Sequence, residues 1–136
     1  MSIEHIETIG ETSKEKIFEE LPFTRDFGDV REESVHDILK ENYEYWRLPT
    51  VAELYALRKQ NGFSFFKRKS YWAKDSIDNM LSDELREFKT GILGSAWYFS
   101  NENKNTKKHL VLFKKGTVIE HADEEVEKIT EGKYPF

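Results

Sequence analysis

The chain has 136 residues, 38% of them hydrophobic and 14% aromatic, which suits a single domain whose core rests on a few rings, each burying about 150–250 Å². With no cysteine it excludes disulfides, thiolate nucleophiles and cysteine-ligated metal, and with no basic-then-apolar start and no run near the ~18 apolar residues of a membrane span it reads as a cytoplasmic protein without membrane contact. Its net charge of −5 is uneven: residues 61–118 carry eleven Lys/Arg against six Asp/Glu and the rest ten against twenty, so two electrostatically distinct faces are expected.

In chain order, residues 3–9 nearly alternate and read as a short first strand. Ile17, Phe18 and Leu21 recur at helical spacing, and Pro22 closes that run because the residue before a proline is pushed out of the helical region. Over residues 33–43, Val35, Ile38 and Leu39 repeat at i, i+3 and i+4 on a polar background, the pattern of an amphipathic helix. The segment Tyr45-Trp46-Arg47-Leu48-Pro49-Thr50-Val51-Ala52-Glu53-Leu54 carries the most information. Leu48 is extended before proline; Thr50 and Glu53 have the spacing of a capping box, so a helix starts at residue 51 and stops before Asn61-Gly62.

Ser70-Tyr71-Trp72-Ala73 then reads as a strand, and Ile77, Met80, Leu81, Leu85 and Phe88 as an amphipathic turn or helix in a long connection. Residues 95–99 and 109–113 are strands joined by a polar loop, and Lys115-Gly116 is the turn into a last strand at 117–119, so the second half reads as a meander. Residues 122–136 are acidic and weakly patterned.

The ordered landmarks Trp46-Arg47-Leu48-Pro49-Thr50-x-x-Glu53-Leu54, Tyr71-Trp72-Ala73, Ala96-Trp97-Tyr98-Phe99 and Phe113-x-x-Gly116-Thr117-Val118 resemble a bacterial domain family, that of the C-terminal domain of Legionella collagen-like adhesin. The resemblance spans about residues 34–119, leaving 1–32 and 122–136 as extensions. It implies an α+β, C-type-lectin-like fold shared with formylglycine-generating enzymes: a twisted antiparallel sheet flanked by two helices lying on one side. It also implies structural roles for Trp46, Arg47, Pro49, Thr50, Glu53, Trp72, Trp97 and Gly116, with Trp46 in the core and Arg47 paired with a carboxylate. Two departures stand out. The acidic 122–136 stretch replaces a final basic-aliphatic strand, and there is no export signal for a family often found at the cell surface.

Chemistry is sparse. The cysteines of the formylglycine-generating enzymes are absent. His5, His36, His109 and His121 show no paired ligand spacing, and Asn101-Glu102-Asn103 lacks the proline and the partner triplet of a lectin calcium site. Adjacent acids such as Glu19/Glu20 do not face each other by any local rule, and Gly91-Ile92-Leu93-Gly94 precedes a strand rather than the helix start that a phosphate clamp needs. No catalytic residue, metal ligand or cofactor is expected. One constellation is left: Lys67, Arg68, Lys69 and Tyr71 next to Lys107 and Lys108, a basic-aromatic patch if the two strands are neighbours. The leading expectation is a non-enzymatic domain that contacts another protein through the loops at 74–94 and 100–108, with a small phage-type inhibitor or accessory protein as one form of it. The alternatives are a nucleic-acid-associated protein using the Lys/Arg patch and a diverged metal-dependent enzyme on the same scaffold.

Overall fold

The computed structural model describes residues 7–9, 17–62, 65–68, 70–76, 84–91, 94–99 and 106–122. In chain order they form strand β1 (Glu7–Ile9), a single 3-10 turn (Phe18–Glu20), β2 (Thr24–Val30), helix α1 (Glu32–Asn42), β3 (Trp46–Arg47), helix α2 (Val51–Asn61), β4 (Ser70–Ala73), β5 (Arg86–Gly91), β6 (Gly94–Phe99), β7 (Lys108–Lys114) and β8 (Thr117–Ile119). The class is α+β, as expected. Of the expected first strand, residues 7–9 form β1 and residues 3–6 lie outside the described residues; of the expected proline-stopped helix, the described part is the 3-10 turn.

The main sheet runs β2-β7-β4-β5-β6, and the two-residue β3 pairs with the end of β7 on the edge opposite β2, Arg47 and Thr24 flanking Phe113 from the two sides. Three expectations are corrected here. The second half is not a meander, because β7 inserts between β2 and β4 and meets β4 in parallel at Tyr71 and His109, which makes the sheet mixed rather than antiparallel throughout. The last strand leaves this sheet: β8 pairs in parallel with β1, Thr8 opposite Val118. Leu85 and Phe88 belong to or border β5, a strand, not a helix; Ile77, Met80 and Leu81 lie outside the described residues.

The core explains the layering. Successive strand side chains point to opposite faces, and β7 is buried on both. Val111 and Phe113 join Tyr71, Ala73 and Phe88 beneath Leu54, Tyr55 and Leu57 of α2. Leu110 and Leu112 join Trp72 and Leu48 beneath Val35, Ile38 and Leu39 of α1. The two helices therefore cover opposite faces, not one side. A sheet covered twice reads as a continuous apolar run in its central strand, and Leu110-Val111-Leu112-Phe113 is that run.

Phe18 centres the α2 face. Its ring meets Phe65, Phe66, Tyr71 and Phe113 at 4.9–6.2 Å between centroids, mostly edge-on, the geometry that aligns positive ring edges with negative faces.

Candidate functional site

The signature segment is built around charge pairing inside the protein. The Arg47 guanidinium donates to both Glu53 carboxylate oxygens, Nη1 to Oε1 at 2.8 Å and Nη2 to Oε2 at 2.7 Å, with both residues buried. Nη1 also donates to the Leu48 carbonyl at 3.0 Å and Nη2 to the Thr117 carbonyl at 3.1 Å, so the fork ties β3, the start of α2 and β8 together. Glu53 completes the expected capping box: its Oε1 accepts from the Thr50 amide at 2.9 Å while Thr50 Oγ1 accepts from the Glu53 amide at 3.1 Å. Pro49 is buried and its carbonyl accepts from the Lys74 amide at 3.0 Å, fastening the end of β4 to this corner. Trp46 is half-buried against the α1 face and Trp72 is fully buried, its Nε1 donating to the Val30 carbonyl at 2.9 Å. Gly116 turns β7 into β8 at φ +93°, and Trp97 stands opposite Phe88 on β6. Arg47, Thr50 and Glu53 with their carbonyl and amide partners form a buried structural corner.

His109 is also inward. Its ring is buried between two carboxylates of β2, Nδ1 at 2.8 Å from Asp29 Oδ1 and Nε2 at 2.7 Å from Asp26 Oδ1, the second approach lying off the hydrogen-bonding direction. Asp26 Oδ1 accepts as well from the Gly28 amide at 2.8 Å across the β2 bulge. With a carboxylate at each nitrogen, the imidazole has no lone pair directed at a substrate or a metal. His36 stands 4.0 Å from Glu32 and His121 3.4 Å from Glu120, and among the described residues no three His, Asp or Glu side chains group as metal ligands. His5 and the Asn101-Glu102-Asn103 loop lie outside the described residues.

The basic-aromatic constellation is brought together and then divided by burial. Because β4 and β7 run parallel in register at Tyr71 and His109, the residues preceding each strand meet at one end of the sheet. Val30 pairs with Lys108, so Arg31 arrives beside Lys107, and Ser70 pairs with Lys89, which brings β5 to the same end. Arg31, Lys67, Arg68 and Lys107 are exposed there. Lys69 lies outside the described residues.

Tyr71 and Lys108, expected in the patch, are 1% and 2% exposed. The Tyr71 hydroxyl donates to Glu19 Oε1 at 2.8 Å and accepts from the Arg68 amide at 3.0 Å, and burial with the adjacent Glu19 charge pushes its ionisation far above the ordinary tyrosine range. Lys108 Nζ sits 4.3 Å from the centre of the Trp72 ring and 3.9 Å from Glu87 Oε1. Burial holds its ammonium below the ordinary lysine range, with Glu87 and Glu32 opposing that shift. Glu87 in turn accepts from Ser70 Oγ at 2.8 Å and lies 3.9 Å from Lys89 Nζ.

Sequence reasoning missed Arg31 and Lys89, which only strand order brings to the same end of the sheet as Lys107. It also missed how the acids of this end divide: Glu87 is buried and engaged by Ser70, Lys89 and Lys108, whereas Asp29, engaged by His109, remains exposed. Among the described residues no helix is long and apolar enough to cross a membrane. No protein-family model, no curated protein and no solved structure matches the chain.

Proposed function

We propose that the chain is a non-enzymatic binding domain that seats an acidic surface of another protein on the basic end of its sheet. One observation carries this reading: Arg31, Lys67, Arg68 and Lys107 converge, exposed, where β4 and β7 begin, while the rings beside them, Tyr71 and Trp72, are buried and offer no stacking platform for bases. Clustered cations attract an anionic partner and speed its approach without dictating a reaction. Lys107 closes the loop expected to make contact and Lys67 and Arg68 lead into β4, so recognition falls on connections held by a rigid sheet. The absence of cysteine supports a cytoplasmic setting, and a small phage-type inhibitor or accessory protein is the form that suits such a domain. A C-type-lectin-like scaffold is part of the proposal, supported by the Arg47–Glu53 corner.

The test is affinity capture of the tagged protein from its native cells, with and without nuclease, alongside Lys67→Glu/Arg68→Glu/Lys107→Glu. A stoichiometric protein partner that survives nuclease and is lost in the triple variant and at high salt supports the proposal. Capture that vanishes with nuclease transfers the basic end to nucleic-acid phosphates and overturns the protein reading. A partner retained by the triple variant places the contact elsewhere and also overturns it.

A further inference from the structure

β2 and β6 are the two ends of the sheet path, and they are built in opposite ways. β2 carries Arg25, Asp26 and Asp29, and its register shifts between Asp26 and Gly28, where Gly28 sits at φ +77°. Charges and bulges are the devices by which an edge strand is kept from pairing with another chain. β6, Gly94-Ser95-Ala96-Trp97-Tyr98-Phe99, has neither charge nor proline. It pairs with β5 in unbroken register from Arg86 opposite Phe99 to Gly91 opposite Gly94, and among the described residues no strand lies on its outer side. Six uncharged residues in unbroken register thus form an edge that, among the described residues, has neither the charges nor the bulge of β2.

We infer that β6 is a self-association edge, which a second copy of this chain extends by adding its own β6 antiparallel about a two-fold axis at Ala96. The order of residue types selects a copy over an unrelated strand. A two-fold axis normal to a sheet sets the axial residue against its own equivalent and pairs residues equidistant from it. Centred on Ala96, it sets Gly94 against Tyr98 and Ser95 against Trp97. The strand is small in its first half and aromatic in its second, so every small residue faces a ring across the junction and only alanine faces itself. Aromatic residues opposite glycine and other small residues compensate the weak pairing of those positions. No like charges meet, because the segment has none. The two sheets become one, and since the joined strands are antiparallel the two basic ends point in opposite directions, each remaining open. The inference therefore stands apart from the binding reading.

The absence of cysteine makes the test clean. Directly opposed residues of an antiparallel pair have Cα atoms about 4.5–5.5 Å apart, inside the span of about 4.4–6.8 Å that a disulfide bridges. On mild oxidation, Ala96→Cys is expected to give a covalent dimer at least roughly tenfold faster than Arg25→Cys on β2, because the thiols are held together rather than meeting by diffusion. Light scattering of the untagged wild type at high micromolar concentration is expected to give twice the chain mass. Ser95→Lys, which adds a charge to the edge, is expected to give the monomer with an unchanged circular dichroism spectrum. A wild type that remains monomeric, or an Ala96→Cys chain that cross-links no faster than Arg25→Cys, overturns the inference.

Discussion

Replacing Arg47 by methionine removes a guanidinium that makes two bonds to Glu53, at 2.7 and 2.8 Å, and two to the carbonyls of Leu48 and Thr117. Methionine keeps much of the stem volume, including the region over the Phe113 ring, so the loss is mainly electrostatic. What is left is a buried Glu53 carboxylate held by the Thr50 amide alone, and breaking a buried pair in this way costs about 3–5 kcal/mol. At about 4 °C per kcal/mol for a chain of this size, the thermal midpoint falls by about 12–20 °C. Arg47→Met/Glu53→Leu removes the orphaned charge and is expected to recover about 1–3 kcal/mol over the sum of the single variants, Glu53→Leu included. Urea unfolding of the four proteins followed by tryptophan fluorescence gives the coupling energy. A cost below about 1 kcal/mol for Arg47→Met, or strict additivity in the double variant, refutes the assignment of this pair as the anchor of the corner.

Phe18→Ala empties the centre of the aromatic cluster and is expected to cost about 3–5 kcal/mol in the same assay, with aromatic near-ultraviolet dichroism weakened. Gly28→Ala is expected to cost about 1 kcal/mol through backbone strain alone, because φ is +77° and an added Cβ meets nothing within 4 Å; Gly28→Asn, which tolerates that conformation better, should cost less. Two alkaline effects oppose each other. The Lys108 ammonium binds its proton less tightly folded than unfolded, so its contribution to stability rises with pH until the unfolded value near 10.5 is passed, and Lys108→Met removes that rise. The Tyr71 hydroxyl is held protonated by burial, so its contribution is complete below pH 10.0 and is lost as pH climbs beyond it, and Tyr71→Phe flattens that decline. Unfolding free energies from pH 8 upward for the wild type and both variants separate the two signs.

The capped start of α2 was legible because its bonds are short in sequence, Thr50 and Glu53 capping each other three residues apart; that Arg47 pairs with a carboxylate was implied by the family resemblance, and only the fold shows the carboxylate to be Glu53. Helix α1 was legible by periodicity, since Val35, Ile38 and Leu39 alone of its residues face the core. β5 was misread because Leu85 and Phe88 keep helical spacing with Met80 and Leu81, while Arg86 and Glu87, polar in sequence, are buried by neighbours far along the chain. β2 was missed because its charges and Gly28 suppress a strand signal that pairing with β7 nevertheless secures. In the patch, Lys67, Arg68 and Lys107 were legible as charges, but whether Tyr71 and Lys108 join them was not. Alternation assigns their neighbours to opposite faces without saying that both faces are covered.

The amino-acid sequence by itself determined the α+β class, the freedom from thiol chemistry and the capped helix, because composition and contacts within a few residues of one another carry that information. Tertiary structure alone decided that β7 lies between β2 and β4, that the helices take opposite faces, and which cations reach the surface. Those outcomes depend on pairings between segments tens of residues apart, such as Val30 with Lys108 and Tyr71 with His109, whose energies arise only once both partners are buried together.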